Sequence, residues 1–90
     1  MPKVQFTRHL KTHFPTLSEV EVEGGTVGQV VIALDQRYPG LKSYLTDDQG
    51  SLRRHVNIFV NEELIRDRRR LTDVLRPRDR LFVMQALSGG

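Results

Sequence analysis

Residues 26–40 read TVGQVVIALDQRYPG, and their apolar positions carry a helical period. Val27, Val30, Val31, Leu34 and Tyr38 recur at i, i+3, i+4, i+7 and i+11, one stripe of an amphipathic α-helix. Thr26 stands where an N-cap belongs, and Pro39-Gly40 stops the helix. Such a stripe is stable only against a second layer, which the flanking sequence has to supply.

On the N-terminal side, SEVEVEGG (18–25) alternates strictly. Glu19, Glu21 and Glu23 face one way and Val20 and Val22 the other, as in a half-buried antiparallel strand, until Gly24-Gly25 ends it. Before it, KVQF (3–6) puts Val4 and Phe6 on one face of a strand, and a loop containing Pro15 joins the two. On the C-terminal side, residues 41–52 read as a short turn of helix and a loop. In HVNIFVNEELI (55–65), Val56, Ile58 and Val60 alternate with Asn57 and Phe59. Asn61-Glu62-Glu63 then turns into a short strand at Leu64 and Ile65. RRRLTDVLRPRD (68–79) reads as a loop with one helical turn at Leu71–Leu75. A last strand covers Arg80–Ala86, with Leu81 and Val83 on one face and Phe82 and Met84 on the other. Strand, strand, helix, strand, short strand, strand is an α+β order. It predicts a β-grasp plan: a mixed sheet of about five strands, one main helix across it, and the final strand beside the first. Val4, Phe6, Val20, Val22, Ile58, Val60, Leu81 and Val83 would share a core with the helical stripe.

Ninety residues make one domain with a modest core, and 38% hydrophobic with 28% charged content is that of an ordinary globular protein. No apolar run approaches the roughly 20 residues that span a bilayer, and no signal-peptide pattern opens the chain. No membrane association and a cytoplasmic location are therefore expected. The absence of cysteine excludes disulfides, thiolate metal sites and chemistry on the protein's own thiol. Residues 1–51 carry five basic and six acidic side chains, whereas residues 52–90 carry nine arginines and five acids.

His9 and His13 have the spacing of a helical metal pair, but they fall in the segment containing Pro15 with no clustered carboxylate, so no metal site is expected. His55 begins a strand and reads as a surface residue. The run RDRRR (66–70), with Arg76, Arg78 and Arg80, has the charge to bind phosphates. It lies in a loop diluted by Asp67, Asp73 and Asp79 and lacks interleaved exposed aromatics, so an acidic protein partner fits better than nucleic acid. Gly24-Gly25 with Gly28 has neither dinucleotide-loop spacing nor a P-loop lysine, and no Ser-His-Asp arrangement suggests itself. This chain is not expected to be an enzyme.

The final QALSGG remains. Residues 1–86 read as the folded domain and 87–90 as a flexible tail. Leu87, Ser88, Gly89 and Gly90 can extend roughly 13 Å, and glycines without Cβ atoms can thread a narrow channel. The terminal carboxyl has a reference pKa of about 3.5 and is an anion at neutral pH. Acyl chemistry at that carbon therefore needs activation, for which ATP-dependent adenylation is the usual route.

KVQF, TVGQVVIALDQRYPGL, HVNIFVNEELI, LTDVLRPRDRLFVMQA and the terminal SGG together resemble the ubiquitin-like sulfur carriers. That family includes the thiamine-pathway carrier ThiS and the molybdopterin-synthase small subunit. Within it the chain looks most like the CysO-like carriers, through RHVNIFVNEELIR (54–66) and a length near 90 residues. The resemblance implies a carrier with no bound cofactor. A ubiquitin-activating-type adenylyltransferase would use ATP and Mg to adenylate the Gly90 carboxylate, and sulfur from a donor would displace AMP to leave a thiocarboxylate. In the CysO-like case the acceptor is activated serine on a PLP-dependent cysteine synthase, and a JAMM-type zinc peptidase releases the new cysteine. Leu87, Ser88 and Gly89 would thread the partners' active sites. Leu64 and Met84 match apolar positions that dock on the activating enzyme. Thr7 replaces a third, aromatic contact of the molybdopterin type, and the tail lacks that type's paired prolines; both point away from it. Three other readings stay open: a ubiquitin-like modifier forming isopeptide bonds through Gly90, a molybdopterin-synthase small subunit, and, last, a non-covalent binding module.

Overall fold

The computed structural model describes residues 1–85. Strand β1 (Lys3–Phe6) leads into a 3₁₀ helix (Arg8–Thr12), then β2 (Val20–Glu21), α1 (Val27–Arg37) and α2 (Leu41–Leu45). Strands β3 (Val56–Val60), β4 (Glu63–Leu64) and β5 (Arg80–Gln85) complete the chain. The five strands form one mixed sheet in the order β2-β1-β5-β3-β4. Only the central β1–β5 pair is parallel; β1–β2, β5–β3 and β3–β4 are antiparallel. This is the expected β-grasp with a second short helix.

Helix α1 begins and ends where its residues dictate. The Thr26 hydroxyl accepts the Gln29 N–H at 3.2 Å, and the Gln29 amide oxygen reaches back to the Gly25 N–H at 2.7 Å. Its stripe of Val27, Val30, Val31 and Leu34 is buried, each side chain contributing about 1.5–3 kcal/mol on full burial. Val4, Val20, Val22, Ile58, Leu81 and Val83 meet that stripe from the sheet, while Phe6 and Val60 are half-buried against it. Gly24 lets the β2–α1 connection lie against the helix: a Cβ there would sit 2.7 Å from Val30 Cγ2 and 2.9 Å from the Val30 backbone nitrogen. Because the backbone atom cannot swing away, Gly24→Ala is expected to destabilise the fold by about 1–3 kcal/mol, read as a lower denaturant midpoint at unchanged m-value.

Four local readings are corrected. The segment after β1 is not a plain loop, since its 3₁₀ helix places Leu10 in the core. The alternating stretch 18–25 pairs only at Val20–Glu21, although Val22 stays buried and its N–H still donates to the Pro2 carbonyl. The short strand is Glu63–Leu64, one residue earlier than expected; Ile65 follows it and is buried.

The fourth correction is the largest. Leu71–Leu75 forms no helical turn. Leu71 has φ 56°, and Val74 bridges to Thr26. The carbonyls of Leu71 and Asp73 accept the N–H groups of Gly28 and Val27, which the first turn of α1 cannot satisfy internally. The loop is held open by its own carboxylates. Asp73 accepts the N–H groups of Arg66 and Asp67, and Asp67 accepts those of Arg69, Arg70 and Thr72.

Chiefly the Thr72 hydroxyl, with those backbone N–H groups, holds the Asp67 carboxyl below its ordinary value of 3.8. Stability from the ionised group is therefore present above pH 3.8 and lost as pH falls through the lower folded value. Asp67→Ala is expected to lower Tm at neutral pH. The gap from wild type should narrow as pH drops below 3.8, which a Tm-against-pH series would register.

Candidate functional site

One face of the sheet packs on α1, and the other carries an apolar row. The register sets Leu64 opposite Phe59, Phe59 opposite Phe82, and Phe82 beside Gln5. Paired residues share a face, so Leu64, Phe59 and Phe82 line up across three strands. Met84 lies two residues beyond Phe82 on β5, opposite Asn57, and extends the row along the strand toward its C-terminal end. Leu64 is 56% exposed, while Phe59, Phe82 and Met84 are half-buried on this open surface. A shallow trough bordered by Gln5, Phe59, Arg80, Phe82 and Met84 runs beside the row.

The turn between β3 and β4 explains why Leu64 sits here. Val60 pairs with Glu63, leaving a two-residue turn with Asn61 at φ 50° and Glu62 at φ 74°. Two positive φ values in a two-residue hairpin match the twist of the flanking strands, and asparagine tolerates the first. The Asn61 side chain then ties the turn to the start of β5: its Nδ2 donates to Asp79 Oδ1 at 2.8 Å, and its Oδ1 accepts the Arg80 N–H at 3.0 Å. The Val60-Asn61 pair thus fixes β4, and Leu64 with it, against the central strands. At the opposite border of the face, the Glu19 carboxyl is held below its ordinary value. The Gln5 amide, which donates to it, is the largest cause, aided by Lys3, whose ammonium lies 3.7 Å away.

The root of the C-terminal segment is braced. The Gln85 N–H donates to Thr7 Oγ1 at 3.3 Å, and its side-chain Oε1 accepts the Tyr44 hydroxyl at 2.9 Å. The Tyr44 ring is packed in turn against His13, with centroids 4.9 Å apart, and edge-on to Phe14 at 5.6 Å. Thr7 therefore anchors the strand end through its hydroxyl.

Of the expected site residues, Leu64 and Met84 lie on the same face, joined by Phe59 and Phe82. Leu87, Ser88, Gly89 and Gly90 lie outside the described residues. Sequence reasoning missed Phe59 and Phe82 as members of this surface. The signal was available: two aromatics occupy the side of alternating strands that the pattern assigns to solvent, and an apolar patch exposed there marks a binding surface. Among the described residues no buried side-chain polar atom lacks a hydrogen-bond partner.

The ThiS family model matches residues 4–90. The chain is 32% identical over 83 residues to the sulfur carrier protein CysO of Mycobacterium tuberculosis, covering 90% of this chain and 89% of that protein. It superposes with TM-score 0.85 and 28% identity on a chain of the Amycolatopsis orientalis BexX/CysO complex, all of both chains being covered. The small archaeal modifier protein 1 of Methanosarcina acetivorans matches with TM-score 0.78 and 28% identity over 99% of this chain and 95% of its own.

Proposed function

Because this chain belongs to the ThiS family, we propose that it is a sulfur carrier whose Gly90 carboxylate is converted to a thiocarboxylate. A partner adenylyltransferase joins the carboxylate oxygen to the α-phosphorus of Mg-ATP, releasing pyrophosphate. Sulfur at the sulfide level then attacks the acyl carbon and expels AMP. The carboxylate is a poor electrophile until that mixed anhydride forms, because its charge is shared over both oxygens and its leaving group would be oxide. The thiocarboxylate produced is a soft nucleophile that gives its sulfur to a biosynthetic acceptor. Likeness to CysO favours cysteine formation as that use, with a PLP-dependent synthase as acceptor enzyme and a JAMM-type zinc peptidase releasing the product. The chain acts as co-substrate and supplies no catalytic group.

The observation that carries this reading is the apolar row Leu64, Phe59, Phe82 and Met84, which ends on the strand leading into Ser88-Gly89-Gly90. Recognition and delivery then share one rigid strand: a partner that grips the row has the terminal carboxylate within reach. Four to five residues extend roughly 13–17 Å from the root. The test is the intact mass of the protein co-expressed with the activating enzyme of its own genome. A gain corresponding to sulfur in place of one oxygen is expected. An unchanged mass beside an enzyme that releases pyrophosphate with a related carrier would sink the proposal.

The second reading, a protein modifier joined through Gly90 to lysine, is favoured by likeness to the archaeal modifier. The same activated acyl group would be attacked by an amine in place of sulfide. Mass-spectrometric recovery from cells of lysines joined to this chain's C-terminal peptide, LFVMQALSGG after cleavage at Arg80, would establish it.

A further inference from the structure

The end of the sheet where β5 finishes is flanked on both sides by cationic segments. On one side β1 runs parallel to β5, with Phe6 beside Val83, and continues into RHLKTH (8–13), which exposes Arg8 and Lys11. On the other side Val56 pairs with Gln85, and the residues just before it are Arg53, Arg54 and His55. Two separate pieces of sequence thus bring cations to the strand end that leads to Gly90.

Two of the arginines are held in place by neutral groups. Arg68 donates to the carbonyls of Arg53 and Val56 at 2.9 and 2.8 Å and to Asn57 Oδ1 at 2.7 Å. Arg53 donates through Nε and Nη2 to the Ser43 carbonyl. Carbonyls fix a guanidinium without cancelling its charge. Two carboxylates of the neighbouring segments are turned toward their own backbone: Asp35 accepts the N–H groups of Gly40 and Lys42, and Asp47 those of Gln49 and Ser51, while Asp48 in the same turn as Asp47 is exposed. Among the described residues the single ion pair is Lys3–Glu19, away from this end. Glu62, Glu63 and Asp79 gather at the opposite end, where β5 begins.

We infer that these cations form a collar around the tail root that docks on an acidic rim surrounding the channel of the protein that takes the tail. The inference rests on the carrier reading and names the surface chemistry of the partner. Charge at a rim acts mainly on encounter: it aligns the tail with the channel and raises the association rate, and salt weakens it. The collar borders the apolar row at Met84, so both surfaces can be covered by one partner.

The test measures sulfur loading by the activating enzyme of the same genome, as kcat/KM against salt. The collar variant carries Arg8→Glu and Arg54→Glu, and the control carries Arg76→Glu and Arg78→Glu, exposed arginines just before β5. The collar variant is expected to lose about tenfold or more in kcat/KM at ~50 mM salt with kcat nearly unchanged, the loss shrinking toward ~500 mM. The control should change less than about twofold, since it alters net charge equally but at the far end. Equal losses in both variants, or none in either, would overturn the collar while leaving the carrier reading intact. Failure of wild type to gain sulfur would remove both. Retention of a single-stranded RNA by wild type but not by the collar variant, with unchanged kcat/KM, would assign the cations to nucleic acid and overturn the inference.

Discussion

Deletion of Gly90 is expected to abolish sulfur loading, with a loss of at least about a hundredfold in kcat and no sulfur gain in intact mass. Removing one residue draws the carboxylate back by about 3.5 Å along the tail. Adenylation requires that oxygen to meet the α-phosphorus in line, and displacements near 1 Å already cost about a hundredfold. The apolar row on β3, β4 and β5, proposed as the docking surface, is untouched by the deletion, so the truncated chain should still bind the activating enzyme and compete with wild type. A fall in kcat with a retained inhibition constant is the expected pair of results. Sulfur loading of the shortened chain at the wild-type rate would show that the reacting carboxylate is not held at a fixed depth. It would count against the threading role of Leu87, Ser88 and Gly89.

The second large effect belongs to the row itself. Phe82→Asp combined with Met84→Asp is expected to weaken binding to the activating enzyme by about a hundredfold or more. Large apolar side chains at the centre of an interface each carry about 2 kcal/mol or more, and a buried unpaired carboxylate adds its own penalty. Both positions are half-buried, so part of any loss could come from the fold. Leu64→Asp separates the two causes. Leu64 is 56% exposed at the edge of the sheet, and its replacement should change stability by no more than about 0.5 kcal/mol. It should nevertheless weaken docking measurably. A Leu64 variant with wild-type affinity would remove β4 from the interface and leave it to β3 and β5.

The face was half legible before the structure. Alternation in Arg80–Ala86, whose last residue lies outside the described residues, placed Phe82 and Met84 opposite Leu81 and Val83. What alternation does not reveal is which residues of other strands lie beside them. Phe59 joins the row because β3 pairs with β5 in the register Phe59↔Phe82, and Leu64 joins because the Asn61-Glu62 turn sets Leu64 opposite Phe59. The brace at Gln85 was not legible at all: Thr7 and Tyr44 lie 78 and 41 residues away in sequence. The same holds for the cationic collar, whose two segments are 40 residues apart and meet only across β5.

The sequence by itself determined the elements whose signal is local. Helix α1 follows from its apolar period and from Thr26 and Pro39-Gly40 at its ends, and the buried faces of β1, β3 and β5 follow from their alternation. These choices depend on side chains within one or two turns of each other, so a single strip of sequence contains the competing energies. Only the tertiary structure decided the path of residues 66–75. Leu71–Leu75 has the composition for a helical turn, yet it is drawn open to satisfy the Val27 and Gly28 N–H groups, to pair Val74 with Thr26 and to donate the Leu75 N–H to the Gly25 carbonyl. Leaving the first two N–H groups of α1 unpaired costs more than one short turn can return, and the carbonyls that accept them stand more than 40 residues away.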